Sequence, residues 1–138
     1  MAPEPMSRPV PEPTPATAPY WEALGRDELS IPRCRSCGSW VFYPRPRCPT
    51  CLSDDLEWLA VEPVGEVYAY SVSRRPTAPM FGEDVPQVIA VVELAIGVRM
   101  TSTLVVDDLG GLRVGLPVVG VFDHTEPGVT LLRFRPAG

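Results

Sequence analysis

Cys34-Arg35-Ser36-Cys37 is followed, after ten residues beginning with Gly38, by Cys48-Pro49-Thr50-Cys51. These two C-x-x-C pairs hold all four cysteines of the 138-residue chain. The two-residue gap lets both sulfurs of a pair point inward from one tight turn. Two such knuckles supply four thiolates at the corners of a tetrahedron. Two disulfides would need an oxidising compartment, and the start Met1-Ala2-Pro3-Glu4-Pro5 lacks the basic-then-apolar pattern of an export signal. A redox C-x-x-C pair usually sits near a βαβ pattern, which this chain lacks. The spacing therefore predicts a metal site on Cys34, Cys37, Cys48 and Cys51. Zinc is the expected metal, with iron in the same thiolate set the less expected alternative. Four protein ligands leave no open position, so the site reads as structural.

Working outward, Ser39-Trp40-Val41-Phe42-Tyr43 reads as a short hairpin broken by Pro44 and Pro46. Upstream, Tyr20 to Leu29 reads as a short helix, with Trp21, Leu24 and Leu29 on an apolar side. Seven prolines fall within residues 1–19, which predicts an extended, disordered leader or the remnant of a linker. Downstream the chain reads as all-β. Leu56 to Val61 is one strand ended by Pro63. About five more lie over 64–136: Gly65–Ser73, Val88–Leu94, Arg99–Val105, Pro117–Asp123 and Val129–Phe134. Val88 to Leu94 is a near-continuous apolar run, as in a strand buried on both faces. Five such strands suit a small Greek-key barrel of the OB type better than a sandwich. The expected organisation is a leader at 1–19, an N-terminal helix at 20–33, a rubredoxin-like zinc ribbon at 34–62 and an OB-fold at 63–136. The fold class is mainly β.

Charge is segregated. Residues 33–51 carry Arg33, Arg35, Arg45 and Arg47 and no acid, in a chain of net charge −5. An acidic whole, with −6 over residues 52–138, argues against a nucleic-acid module, the reading that ribbons and OB-folds otherwise invite. There is no lysine and only one histidine, His124. That excludes a Schiff-base lysine, a P-loop lysine and multi-histidine metal sites. Asp107-Asp108 before Leu109-Gly110-Gly111 reads as turn chemistry, and Glu93 is a lone carboxylate in an apolar strand. No catalytic set assembles. The loop 74–87 is long and carries Met80 and Phe81 at its tip, beside Arg74 and Arg75. No run of about 18 apolar residues exists, so no membrane span and a cytoplasmic location are expected.

The order of motifs is specific. Tyr20-Trp21-Glu22-Ala23-Leu24 precedes Ile31-Pro32-Arg33-Cys34 and Pro44-Arg45-Pro46-Arg47-Cys48. Gly65-Glu66-Val67, Val91-Val92-Glu93-Leu94, Gly115-Leu116-Pro117-Val118 and Phe134-Arg135-Pro136 follow. Over about residues 20–136 this resembles the acyl-CoA-associated zinc-ribbon/OB-fold proteins, long classed as a domain of unknown function. One departure is Leu52 after Cys51, where a rubredoxin knuckle favours glycine. The resemblance implies a non-catalytic accessory subunit for a thiolase-superfamily enzyme. The version it best fits partners a lipid-transfer-protein-like aldolase acting on a hydroxyacyl-CoA in steroid side-chain degradation, beside a fused or associated MaoC-like hydratase domain. Contacts with partner or acyl-CoA are then expected at Tyr20, Trp21, Arg74, Arg75, Met80 and Phe81. A stand-alone acyl-CoA-binding protein is the other alternative.

Overall fold

The computed structural model of the chain describes residues 12–74, 86–125 and 128–137. Its elements are α1 (Ala18–Gly25), β1 (Leu29–Cys34), β2 (Leu56–Val61), β3 (Val64–Ser73), β4 (Gln87–Leu94), β5 (Arg99–Leu104), a 3-10 turn (Leu109–Gly111), β6 (Pro117–Asp123) and β7 (Leu131–Pro136). The class is as expected: mainly β, with a short helix, a four-cysteine ribbon and a closed five-stranded barrel.

The N-terminal part differs from the sequence reading. The expected helix over 20–33 is shorter and starts earlier. Thr14 N donates to Thr17 Oγ1 at 2.8 Å, and Ala18 N donates to Thr14 O at 2.7 Å, forming the turn that launches α1. Pro19 sits in the first turn, where its missing N–H costs nothing. The helix stops at Gly25, and Asp27 turns left-handed at φ 59°. Residues 29–33 are strand, not helix. Leu29 and Ile31 are buried with Ser30 half-buried between them, the two-residue period at the start of β1, while Pro32 and Cys34 are buried around an exposed Arg33 at its end. β1 pairs antiparallel with β2 from Leu29↔Val61 to Cys34↔Leu56. A helical period over so few apolar residues was outweighed by this long-range pairing.

The expected Ser39–Tyr43 hairpin is not a strand pair. Trp40 makes one isolated bridge to Arg33, and Val41 N donates to Pro32 O at 2.8 Å. The segment instead turns Val41 toward the cysteines and Trp40 and Phe42 toward the main core.

The barrel has strand order β3-β4-β5-β7-β6. β3 pairs with β4 along most of its length and with β6 over Val64–Glu66, closing the cylinder. β7 meets β5 in parallel only at Leu104↔Phe134, so the wall is open between them below that point. At Gly65, a Cβ would lie 2.2 Å from the Glu93 carbonyl oxygen, so only glycine allows β3 to approach β4 there. β4 is not buried on both faces. Val88, Ala90, Val92 and Leu94 face the core, while Ile89 is exposed. The apolar run therefore has an outer face, with Ile89 exposed and Val91 half-buried.

One core joins the three parts. Leu24 of α1 and Leu29 and Ile31 of β1 pack in the same cluster as Val67, Val92, Val118 and Phe134 of the barrel. An eight-residue helix is marginal alone, so burial of Leu24 in this cluster, with Ala23 also buried, is what holds α1. Among the described residues no helix is long and apolar enough to cross a membrane.

Candidate functional site

The ribbon brings the four cysteines together. The four Sγ atoms lie within 4.8 Å of one another, with Cys34–Cys51 at 3.5 Å and Cys37–Cys48 at 3.6 Å. None is in a disulfide. Tetrahedral zinc with bonds of about 2.3 Å would place sulfurs about 3.8 Å apart, so the donor set fits such an ion. Cys34 and Cys48 are buried with Val41 in a small core of their own; Cys37 and Cys51 are exposed. The thiols are unequal. Ser39, through its hydroxyl and backbone N–H, draws Cys37 down to about 6. Ser53's backbone N–H pulls Cys51 down in the same way, but the neighbouring sulfurs, Cys34 first, and burial outweigh it and push Cys51 up to about 12. A divalent cation removes that inequality by favouring every thiolate at once.

The two knuckles share one plan. Gly38 N donates to Cys34 O at 2.9 Å, and Leu52 N donates to Cys48 O at 2.8 Å. Cys34 N donates to Ser39 O and Cys48 N to Ser53 O, both at 2.8 Å. Arg33 Nε reaches Gly38 O at 2.9 Å, and Arg47 Nη1 reaches Leu52 O at 3.2 Å. Gly38 and Leu52 are both left-handed, at φ 79° and 65°. The sequence reading missed this duplication. Its signal is present as Arg33-Cys34-x-x-Cys37-x-Ser39 against Arg47-Cys48-x-x-Cys51-x-Ser53.

Beside the ribbon lies a cleft of about 320 Å³. It sits where β5 and β7 part. Tyr20, Trp21, Phe42 and Tyr43 form its aromatic wall, and Met100 and Leu132 come from the barrel. The rings stack in sequence, Trp21–Tyr20 at 5.0 Å, Tyr20–Phe42 at 6.0 Å and Phe42–Tyr43 at 4.3 Å. Side chains replace the missing ladder: Ser102 Oγ donates to Leu132 O at 2.7 Å, and Thr101 N donates to Tyr43 Oη at 3.3 Å. Burial, helped by Tyr43, pushes Tyr20 up to about 12. Arg133 beside the cleft is held by Asp123 at 2.6 Å. Burial would raise Asp123, but Thr125 and Arg133 outweigh it and bring the carboxyl down to about 2.

Tyr20 and Trp21 are thus brought together at a cleft. Arg74 is exposed just beyond β3, and Arg75, Met80 and Phe81 lie outside the described residues. Asp108 accepts from Gly110 N and caps the 3-10 turn, and Glu93 pairs with Arg99 at 2.9 Å. His124 is more connected than its turn composition suggested. Its Nε2 lies 2.6 Å from Asp27 Oδ1, and its Nδ1 lies 2.9 Å from Thr130 Oγ1. A carboxylate only accepts, so Nε2 donates to Asp27, and the Thr130 hydroxyl, which can donate or accept, pairs with Nδ1. This chain of bonds ties the β6–β7 loop to the turn after α1.

Residues 21–57 match the ChsH2 rubredoxin-like zinc ribbon domain, and residues 58–123 match the ChsH2 C-terminal OB-fold domain. A DUF35 domain-containing scaffold protein of Methanothermobacter thermautotrophicus is 35% identical over 115 residues, covering 80% of this chain and 86% of that one. The chain belongs to the DUF35 family. This DUF35 chain also superposes on a chain of the solved Ltp2-ChsH2(DUF35) aldolase, with TM-score 0.84 and 35% identity, covering 94% of this chain and all of that one. A probable enoyl-CoA hydratase alpha subunit of Thermomonospora curvata is 36% identical over 118 residues. That match covers 86% of this chain and 36% of the hydratase subunit, so the DUF35 chain spans about a third of that relative's length.

Proposed function

We propose that this DUF35 chain is a non-catalytic accessory domain that binds and stabilises a thiolase-superfamily enzyme. The favoured partner is a lipid-transfer-protein-like aldolase that cleaves a hydroxyacyl-CoA in steroid side-chain degradation. The observation that carries the reading is the end-to-end likeness to a chain of the Ltp2-ChsH2(DUF35) aldolase. The relatives named scaffold proteins support the accessory role. The hydratase alpha subunits support association with a MaoC-like hydratase domain.

Cys34, Cys37, Cys48 and Cys51 hold one structural zinc ion in this reading. The four thiolates enclose it and leave it no substrate position. Four free thiols suit a reducing cytoplasm. Tyr20 and Trp21 line the side of an acyl-CoA entrance, because their cleft is aromatic and its one guanidinium, on Arg133, is already neutralised by Asp123. Arg74, Arg75, Met80 and Phe81 complete that contact surface.

Co-expression with a thiolase-like aldolase tests the proposal. The two chains co-purify at a fixed ratio, and retro-aldol turnover rises when the DUF35 chain is added. Clean separation on gel filtration, with unchanged turnover, would overturn it. Turnover by the isolated DUF35 chain would overturn the non-catalytic role.

A further inference from the structure

The second knuckle carries a residue that its own fold does not explain. Leu52 is left-handed, at φ 65°, and the residue is 68% exposed. A β-carbon is disfavoured in that region, and glycine is the usual occupant. The knuckle demands the conformation, because Leu52 N must turn back to Cys48 O. The first knuckle meets the same demand with Gly38. At Leu52 neither the backbone nor packing within this chain favours leucine. An exposed apolar side chain held in a costly conformation points to an external contact.

The surroundings say what kind. Arg47 donates to the Leu52 carbonyl and fixes the loop. Arg45 is exposed between Pro44 and Pro46 and has no partner among the described residues. Arg35 is neutralised by Asp55 and Glu57, and Arg33 stacks on Trp40 at 5.3 Å. Arg33, Arg45 and Arg47 have no carboxylate partner among the described residues, so they keep the excess positive charge of residues 33–51, and Arg45 and Arg47 carry it on the approach to the second knuckle. Neither guanidinium is bonded to a sulfur. Two prolines around Arg45 restrict the backbone, so little ordering is required on contact.

We propose that the outer face of the second knuckle is a docking surface, with Leu52 as apolar anchor and Arg45 and Arg47 at its rim, for a protein partner offering an apolar socket edged by carboxylates. This rests on the accessory reading, and the partner is the thiolase-like enzyme. Leu52 enters the socket. The guanidiniums speed encounter and set orientation.

The test uses the full chain and the aldolase named above, with affinity measured by calorimetry and metal content by elemental analysis. Leu52→Gly relieves the backbone and removes only the anchor. It retains its metal and melts no lower than the parent, yet binds the aldolase at least about tenfold more weakly. Arg45→Glu slows association by several-fold at low salt, and the difference shrinks as salt rises. Should Leu52→Gly lose metal, Leu52→Asn takes its place, since asparagine tolerates the left-handed region. A metal-loaded Leu52→Gly or Leu52→Asn chain that binds like the parent would overturn the surface while leaving the accessory role standing. A parent chain that does not bind the aldolase at all would overturn the accessory role.

Discussion

The two cysteine knuckles have the same backbone hydrogen bonds, the same arginine-to-carbonyl brace and a left-handed residue at the same place, but that residue is Gly38 in one and Leu52 in the other. The shared features are what four converging sulfurs and a tight turn require. The difference is what they do not require. Identical backbone geometry therefore separates residues that serve the metal site from a residue that serves something else.

The largest effect should come from breaking either knuckle. Cys34→Ser and Cys48→Ser remove a buried sulfur and lose the metal. With it goes the small core around Val41, because structural zinc sites supply on the order of 10 kcal/mol of folding energy. Elemental analysis and near-ultraviolet circular dichroism read both losses. Cys37→Ser and Cys51→Ser, at exposed positions, lose metal affinity with less collapse of packing.

Acid should separate ribbon from barrel. Thiolate ligands take up protons as pH falls, so metal leaves first. Asp123 is held down to about 2, below its unfolded value of about 3.9. Its contribution is therefore fully present above about pH 4 and is lost as pH falls toward 2. Metal release monitored with a chromogenic chelator should precede the loss of barrel tertiary signal. Asp123→Asn should bring the second transition to higher pH.

Exchanging the odd residue should produce opposite signs. Gly38→Leu meets no steric bar, since the nearest atom to a new β-carbon is Arg33 Nη2 at 3.8 Å. It costs about 1–2 kcal/mol from the backbone alone. Leu52→Gly changes stability by under about 1 kcal/mol, toward the stable side. Differential scanning calorimetry distinguishes a fall of several degrees from little change. Equal destabilisation by both would show that Leu52 has a packing role.

The smallest effects belong to the braces. Arg33→Ala and Arg47→Ala each remove one exposed bond to a carbonyl, worth about 1 kcal/mol or less. Arg33→Ala costs slightly more, because it also loses the stacking on Trp40.

Much of this was legible in the chain itself. The metal cluster follows from two C-x-x-C spacings, since ligand convergence within a knuckle is a local property. The barrel strands follow from apolar runs punctuated by glycine and proline. β1 was not legible: Leu29 and Ile31 give a two-residue period too short to outweigh the preceding helix pattern, and the residue paired with Leu29, Val61 of β2, lies 32 positions further on. The exposed Ile89 was not legible either, because an apolar run does not say which face meets solvent. The aromatic cleft needed two separate segments, the start of α1 and residues 42–44, to converge on the gap between β5 and β7.

The sequence by itself determined the four-thiolate set, the all-β character and the segregation of arginine onto the ribbon. These depend on residue type and short spacing. Only the tertiary structure decided that Tyr20 and Trp21 share a cleft with Phe42 and Met100, that His124 links Asp27 to Thr130, and that Leu52 is both left-handed and exposed. Those depend on where distant strands close, and closure is set by the packing of a shared core rather than by any one stretch of chain.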